Sequence, residues 1–546
     1  MDLPAGRPVP ACAGMTGHMH CLFYLFSFFL SLQTRWLVRA GELNGGFFEY
    51  GSVSLFAVDV VALAIVGWWI LRLSFWRADV RRLDRIQTWI LSLPVSPRAS
   101  RGGRSRMTST RRALAILLIW LLLSLLWSAQ PLAAAVWIAR AVLAFAVGAI
   151  FIQEVKTRGQ KFLWQCLGWF VFGVTLQAGL GIYQFFTQST FANKWLGLAF
   201  HDPALGGTFV VETVLRRWLR AYGGLPHPNI LAAFIVTALV IVLARYVWRR
   251  SCQLSAVSRQ LKELAWLVSF VVLTAGLVLT FSRTAWAAGV LIFLLAWWFV
   301  IFVTRVRPHP TSPCQGEELP LLTKEPALAA TRDRGLGVVY RLVLLTVVAA
   351  TIAAILVLTY PDPFTSRLSG EGRLEAKSLN ERRTQLAEGR QLFLQRLLRG
   401  YGVTGYTKAL RDYVRPPDQP VWEYQPAHFL WLTILVELGS IGVGLVMIII
   451  LIFLWKWRQI VIARRSQSDD VAIPGDCCAS ARNDVDPGSE SGMTVASLRF
   501  MWGALLLTVL LQTLTDHFWW TLPVGIWLTA WVAIVVLSVK GVDNLR

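Results

Sequence analysis

Long apolar runs constrain this chain more than any other feature. They recur from one end to the other, and several reach the roughly 20 residues that a helix needs to cross a bilayer. Inside lipid each backbone N–H and C=O must find its partner within the protein, so a chain with many such runs folds as a helical bundle. Candidate spans lie at 20–38, 53–73, 112–128, 131–152, 163–187, 229–248, 263–281, 285–304, 338–360, a broken one over 428–457, 497–516 and 521–539. The expected fold is therefore an all-α polytopic membrane protein of about twelve transmembrane helices. A hydrophobic share of 55% with 26 Trp agrees with that class, and counting domains by length does not apply to it.

The formal charge of +22 could suggest nucleic acid, but the basic residues stand beside the spans. The segment after the second span carries Arg77, Arg81, Arg82, Arg85 and Arg98. Arg249, Arg250, Arg259 and Lys262 follow the sixth, and Lys456, Arg458, Arg464 and Arg465 follow the tenth. With twelve spans these three segments share one side, which the positive-inside rule makes cytoplasmic. No nucleic acid partner is implied. Both termini then lie inside, while loops 188–226 and 361–427 and the turn Ser282-Arg283-Thr284 lie outside.

This reading divides the chain into an N-terminal extension at 1–19, nine spans over 20–360, an external loop at 361–427, and three last spans over 428–546. Cytoplasmic linkers are expected at 74–111, 305–337 and 458–496. Stretches 1–18, 96–110, 308–334 and 466–492 are rich in Pro, Gly, Ser and charge without periodicity, which predicts disorder. Pro10-Ala11-Cys12-Ala13-Gly14-Met15-Thr16 and Ser312-Pro313-Cys314-Gln315-Gly316 resemble translated palindromic repeats of bacterial genomes; on that reading they carry no function, and Met19 is a candidate start beside Met1. The seven cysteines have no metal-ligand spacing, and none falls in an external loop, so no disulfide is required.

The large external loop lies before the last three spans and is rich in Arg. It holds Arg367, Arg373, Arg382, Arg383, Arg390, Arg396, Arg399, Arg411 and Arg415. One helix is legible in it. Ser378-Leu379-Asn380-Glu381 has capping-box form, and Leu386, Phe393 and Leu397 form a stripe at helical spacing. Arg383 and Arg390 share a face. Gly400-Tyr401-Gly402 supplies glycines for the helix stop. An amphipathic helix with an Arg face, lying on the outer surface of the bundle, is expected.

Several residues invite a functional reading beside a plainer one. His428 starts an apolar helix; it is either an interfacial polar residue or a functional imidazole. Glu437 lies nine residues on, on the opposite side of an ideal helix, so the two do not simply pair. Gly439 and Gly442 break the helix or allow close packing. Arg283 can snorkel from its turn. Beyond Arg220, Asn229 is placed to cap a helix and His227 to sit in a turn. Taken together, Arg220, His227, Arg283, Arg382, Arg383 and His428 fall on the outer face. Guanidinium and imidazole groups gathered there suit an anionic headgroup, most naturally a diphosphate. No P-loop, HExxH, GxSxG or Asp-rich metal motif is present.

These features resemble the O-antigen ligase and O-antigen polymerase superfamily. The carrying residues are His428, Gly439 and Gly442 with Glu437 before the first Gly, Thr280-Phe281-Ser282-Arg283 after a span, Arg220 with Pro228-Asn229, and a loop with Arg382 and Gly400-Tyr401-Gly402. In one departure Phe429 follows the His, where relatives often carry Asn, Ser or Gln. The resemblance covers about residues 20–540 apart from the linkers. It implies transfer of a saccharide from an undecaprenyl-diphosphate carrier to an acceptor, on the periplasmic face of the bacterial inner membrane. His428 would be general base or acceptor-orienting group. Arg220, Arg283 and Arg382 would hold the diphosphate, with Arg383 as substitute; neither metal nor cofactor is implied. A lipid A-core acceptor would mean lipopolysaccharide ligation, a growing glycan polymerisation, and a protein oligosaccharyl transfer. A transporter or bicarbonate-transport accessory protein is the alternative of another class.

Overall fold

The computed structural model describes residues 11–76, 102–248, 256–303, 325–370, 373–469, 495–514 and 516–543. It is mostly helical, and each of the twelve apolar runs contains helix. Seven of the described helices are long and apolar enough to cross a membrane: Pro131–Arg158, Gln160–Thr187, Pro228–Val247, Gln260–Leu279, Arg283–Ile301, Gly337–Thr359 and Leu430–Ile452. Met19–Phe29, Arg112–Leu126, Phe500–Thr513 and Pro523–Ser538 are shorter apolar helices.

Among the described residues three short antiparallel ribbons qualify the all-α expectation: Arg35–Arg39 (β1) with Val53–Phe56 (β4), Glu42–Leu43 (β2) with Gly46–Phe47 (β3), and Val210–Glu212 (β5) with Arg217–Leu219 (β6). The first also corrects two span boundaries. Helix α1 (Ala11–Phe29) ends early, and Arg35–Arg39 (β1) pairs with Val53–Phe56 (β4). Polar Gln33-Thr34-Arg35 ends the first run, so the 31–38 end of that run and the start of the next leave the helices. Helix α2 is Ala57–Trp76.

The expected linkers are described only in part. Residues 1–10, 77–101, 304–324 and 470–494 of those stretches lie outside the described residues. The described parts continue neighbouring helices: α3 is Gly102–Leu123, α9 is Glu325–Thr359 and α13 is Leu430–Asp469. Once a helix is nucleated, adding a turn fixes few residues per bond gained, so a span can extend into polar sequence.

Pro228–Val247 (α6) forms the centre. It is apolar all round, as a helix surrounded by protein should be, and 89% of its apolar window is buried. It packs against α5 (Gln160–Thr187), α7 (Ala256–Leu279) and α14 (Val495–Thr513). At the other extreme, Gly337–Thr359 of α9 is 11% buried, a face left for lipid.

One buried ion pair ties the bundle together. Arg140 of α4 (Pro131–Arg158) donates from Nε and Nη2 to Asp59 of α2, at 2.9 and 2.7 Å. Trp527 Nε1 of α16 (Pro523–Asp543) donates to the same carboxylate at 2.7 Å. Such charges are expensive in lipid and persist only when paired in the protein interior.

Candidate active site

The site begins where the β5–β6 ribbon (Val210–Glu212 with Arg217–Leu219) runs into α6. His227, not Asn229, caps that helix: its Nδ1 accepts the Asn229 N–H at 2.9 Å. With His227 in that role, the Asn229 side chain bridges two groups. Its Oδ1 accepts from Arg220 Nη2 at 2.8 Å, and its Nδ2 donates to Asp516 Oδ2 at 3.1 Å. Arg220 is buried, and its Nε donates to the Thr280 carbonyl at 2.7 Å. This bond holds the turn before α8 (Arg283–Trp298), in which Phe281 adopts φ +50. Arg367 Nε donates to the Phe281 carbonyl at 2.9 Å. Arg283 is the first residue of α8, three positions after the carbonyl that Arg220 holds.

His428 stands just before α13. Its backbone N–H donates to Gln385 Oε1 at 3.0 Å, which docks it on α11 (Arg373–Gln395). Its Nδ1 is buried without a hydrogen-bond partner among the described residues. The ligand atoms of His428, Asp516 and His517 all lie within 4.8 Å of one another, and the two imidazole centroids are 5.7 Å apart. His517 Nδ1 and Thr521 Oγ1 are 2.7 Å apart, so their bond leaves the other ring nitrogen of His517 for the cluster.

Burial dominates the electrostatics. It lowers the pKa of His428, with Arg382 adding to the shift while Asp516 opposes it. Asp516 is raised by burial, against the pull of His428 and the Asn229 hydrogen bond. His517 is pushed down to about 3, chiefly by burial. His227 is held well below the ordinary imidazole value by burial and then by Arg220. At neutral pH these imidazoles are neutral, and His428 faces a carboxyl group able to stabilise the charge it gains on taking a proton.

Helix α13 is broken beyond His428. Gly439 sits inside that helix at φ 67 and ψ −178. The backbone groups around the break pair with the segment after α11. Tyr401 N–H donates to Val436 O at 3.0 Å, Gly402 N–H to Glu437 O at 2.9 Å, and Ser440 N–H to Leu397 O at 2.9 Å. A Cβ on Gly439 would lie 2.2 Å from Leu398 O, one on Gly400 2.4 Å from Glu437 O, and one on Gly402 2.8 Å from Ser128 Cβ. A Cβ on Gly442 would meet Trp120 Nε1 at 2.7 Å. The glycines thus let the loop backbone lie against the broken helix and satisfy it, as a lipid-embedded chain requires. Glu437 is fully buried; it accepts from Trp520 Nε1 at 2.7 Å and from Tyr406 N at 3.4 Å.

Helix α11 differs from its expected form. Residues 373–377 are already helical, so Ser378 lies inside the helix and does not cap it. Leu386 and Leu397 are exposed, while Gln385, Gly389 and Leu392 are buried. A Cβ on Gly389 would touch Leu432 Cδ2 at 2.5 Å, so the helix approaches α13 closely at that glycine. This face carries Gln385 to His428. Arg382, three residues earlier, acts on both His428 and Asp516, whereas Arg383 is exposed.

The structure therefore joins His428 and Arg382 to Arg220, His227 and Asn229 through Asp516. Glu437 and the four glycines form the scaffold beneath. Asp516, His517 and Gln385 are not singled out by the sequence, and Arg367 stands out there only as one of the Arg residues of the external loop. An Asp-His pair between the last two apolar runs was the available signal, since ionisable groups at membrane depth usually have a role. It supplies the polar neighbours that Phe429 does not. Two imidazoles and a carboxylate are also a donor set that suits a divalent ion. Against that use, Arg382 sets a positive charge in the same field and Asn229 occupies one carboxylate oxygen.

The chain shows no significant match to any curated protein. Residues 268–449 match the O-antigen ligase family. The matched region runs from α7 through the broken helix, taking in Arg283, Arg382, His428, Gly439 and Gly442, with Arg220, Asn229 and Asp516 outside it. The described helices make this a multi-pass helical membrane protein, and its segment 268–449 is similar to the O-antigen ligase family.

Proposed function

We propose that the protein transfers a glycan from an undecaprenyl-diphosphate carrier to an acceptor hydroxyl at the outer face of the bacterial inner membrane, with twelve spans and both termini inside. The observation that carries this reading is the linked set Arg220–Asn229–Asp516 closing on His428 beside Arg382. The acceptor oxygen attacks the anomeric carbon and the bond from that carbon to the diphosphate oxygen breaks. The hydroxyl proton passes to His428, and Asp516 stabilises the resulting imidazolium. Undecaprenyl diphosphate leaves with its charge met by guanidinium groups, for which Arg283 and Arg382 are the candidates and Arg367 an addition. Arg220 is tied to Thr280 and Asn229, which suits it to holding the turn that presents Arg283.

Ionisable groups gathered at the ends of α6, α8, α13 and α14 favour a transferase over a transporter, whose substrate groups belong near the midplane. The test is a mass spectrum of surface glycans from a deletion strain complemented with wild type or with His428→Ala. A glycan present only with wild type supports the reading and identifies the acceptor. Identical glycans in all strains would overturn it.

A further inference from the structure

Residues 188–226 join α5 to α6 on the side of the bundle that carries the candidate site. They expose an unusual amount of apolar surface: Trp195, Leu196 and Phe200 are exposed, and at the tip of the β5–β6 hairpin Val214 and Leu215 are 103% and 82% exposed. A loop bathed in water gains nothing from such a patch, and contiguous exposed apolar surface marks a contact site.

The loop is well tied down. Thr34 Oγ1 donates to Trp195 O at 2.5 Å, Leu219 N–H to Gln188 Oε1 at 2.8 Å, and Arg217 Nη1 to Ala204 O at 3.3 Å. The hairpin is also fixed to the head of the most lipid-facing span. Ser366 Oγ donates to Glu212 O at 2.5 Å, and Arg373 pairs with the Glu212 carboxylate at 3.0 Å. Ser366 belongs to α10 (Pro361–Ser369), which follows directly on α9, 11% buried along its apolar window. The apolar tip thus continues a lipid-facing surface at its rim.

The charges beside it fit the same surroundings. Arg216 Cζ lies 3.4 Å from the centre of the Trp218 ring, and Lys194 Nζ 5.1 Å from that of Trp195. Aromatic rings paired with cations next to apolar side chains are what a membrane–water boundary selects.

We propose that loop 188–226 rests on the bilayer and inserts Val214 and Leu215 into the headgroup–acyl boundary of the adjacent leaflet. The occupant of the patch is the lipid itself. Because β6 leads directly into Arg220, a hairpin held by lipid fixes the height of the site above the membrane.

The test is a nitroxide on Leu215→Cys, in protein whose native cysteines are replaced by Ser, reconstituted in vesicles containing anionic lipid. Power saturation compares collision with oxygen, which partitions into lipid, and with a water-soluble nickel chelate. A label on Asp418→Cys, an exposed position of the 361–427 loop, supplies the aqueous reference, and Val214→Cys serves if Leu215→Cys fails to accumulate. The expected result is oxygen access exceeding nickel access at the tip and the reverse at Asp418. A tip as accessible to nickel as Asp418 would overturn the proposal. So would a tip shielded from both reagents, which would mean a protein contact.

Discussion

Asn229 Nδ2 donates to Asp516 Oδ2 at 3.1 Å across 287 residues of chain, and this bond ties the entrance of α6 to the connection between the last helices. Asp516 in turn faces His428. Replacing Asp516 by Asn keeps the shape and removes the charge that stabilises a protonated His428. The expected outcome is a fall in transfer of about 100-fold or more, the scale of acid–base contributions, at unchanged protein level. Asn229→Ala should cost less, because the carboxylate stays. Initial rates normalised to protein on a blot check both.

The pH dependence follows from the same burial. His428 titrates below 6.5 in the folded protein, so its base form prevails through neutral pH. Transfer should be flat above about pH 6.5 and fall on acidification through the lowered pKa. His227 and His517 are lowered too. These three groups then bind more protons in the unfolded chain than in the folded one, and their contribution to stability rises with pH through the imidazole range, opposed in part by the raised Asp516. It should be lost as pH falls below about 6.5, the unfolded value, which thermal melting in detergent at pH 5 and 7.5 would show.

Gly439→Ala should destabilise the protein by at least about 2 kcal/mol. A left-handed φ costs an L-residue roughly 1–2 kcal/mol, and the new Cβ would lie 2.2 Å from Leu398 O. Nothing lies within 4 Å of a Cβ on Gly444, so Gly444→Ala in the same helix should be neutral or stabilise by about 0.5–1 kcal/mol. Melting temperatures of the two variants separate a helix break that the fold requires from general intolerance of helix 430–469.

The bundle was legible in the sequence because apolar length and periodicity are local properties. The site was legible in part. His428 stands at the edge of an apolar run, where an imidazole is conspicuous, while Arg220 and Arg382 lie in the polar loops between runs. Asp516 also stands at such an edge, but its partner in space is remote in sequence, so spacing carried no hint of the bond. The cap at α6 was misassigned because His227 and Asn229 can both accept, and only the tertiary pull of Arg220 and Asp516 decides which one does. The buried face of α11 was missed because Gln385 and Gly389 are not apolar; one is recruited by His428 and the other by close helix approach.

Arg382 and Arg383 are adjacent but face different surroundings. Arg382 shares the field of His428 and Asp516, and Arg383 is exposed. Arg382→Lys should cost more than about tenfold in transfer if a planar bidentate contact to phosphate is lost. Arg383→Lys should stay within about twofold of wild type, as expected for an exposed cation. Equal effects at both positions would remove the distinction.

The most direct test of the central claim is the transfer rate of His428→Ala, purified in lipid with an undecaprenyl-diphosphate-linked glycan and an acceptor that wild type uses. His428 lies at a helix start with its backbone held by Gln385, so truncation should leave folding and protein yield intact. The expected result is loss of transfer to the uncatalysed background, with melting temperature close to wild type. Wild-type transfer by well-folded His428→Ala protein would contradict it.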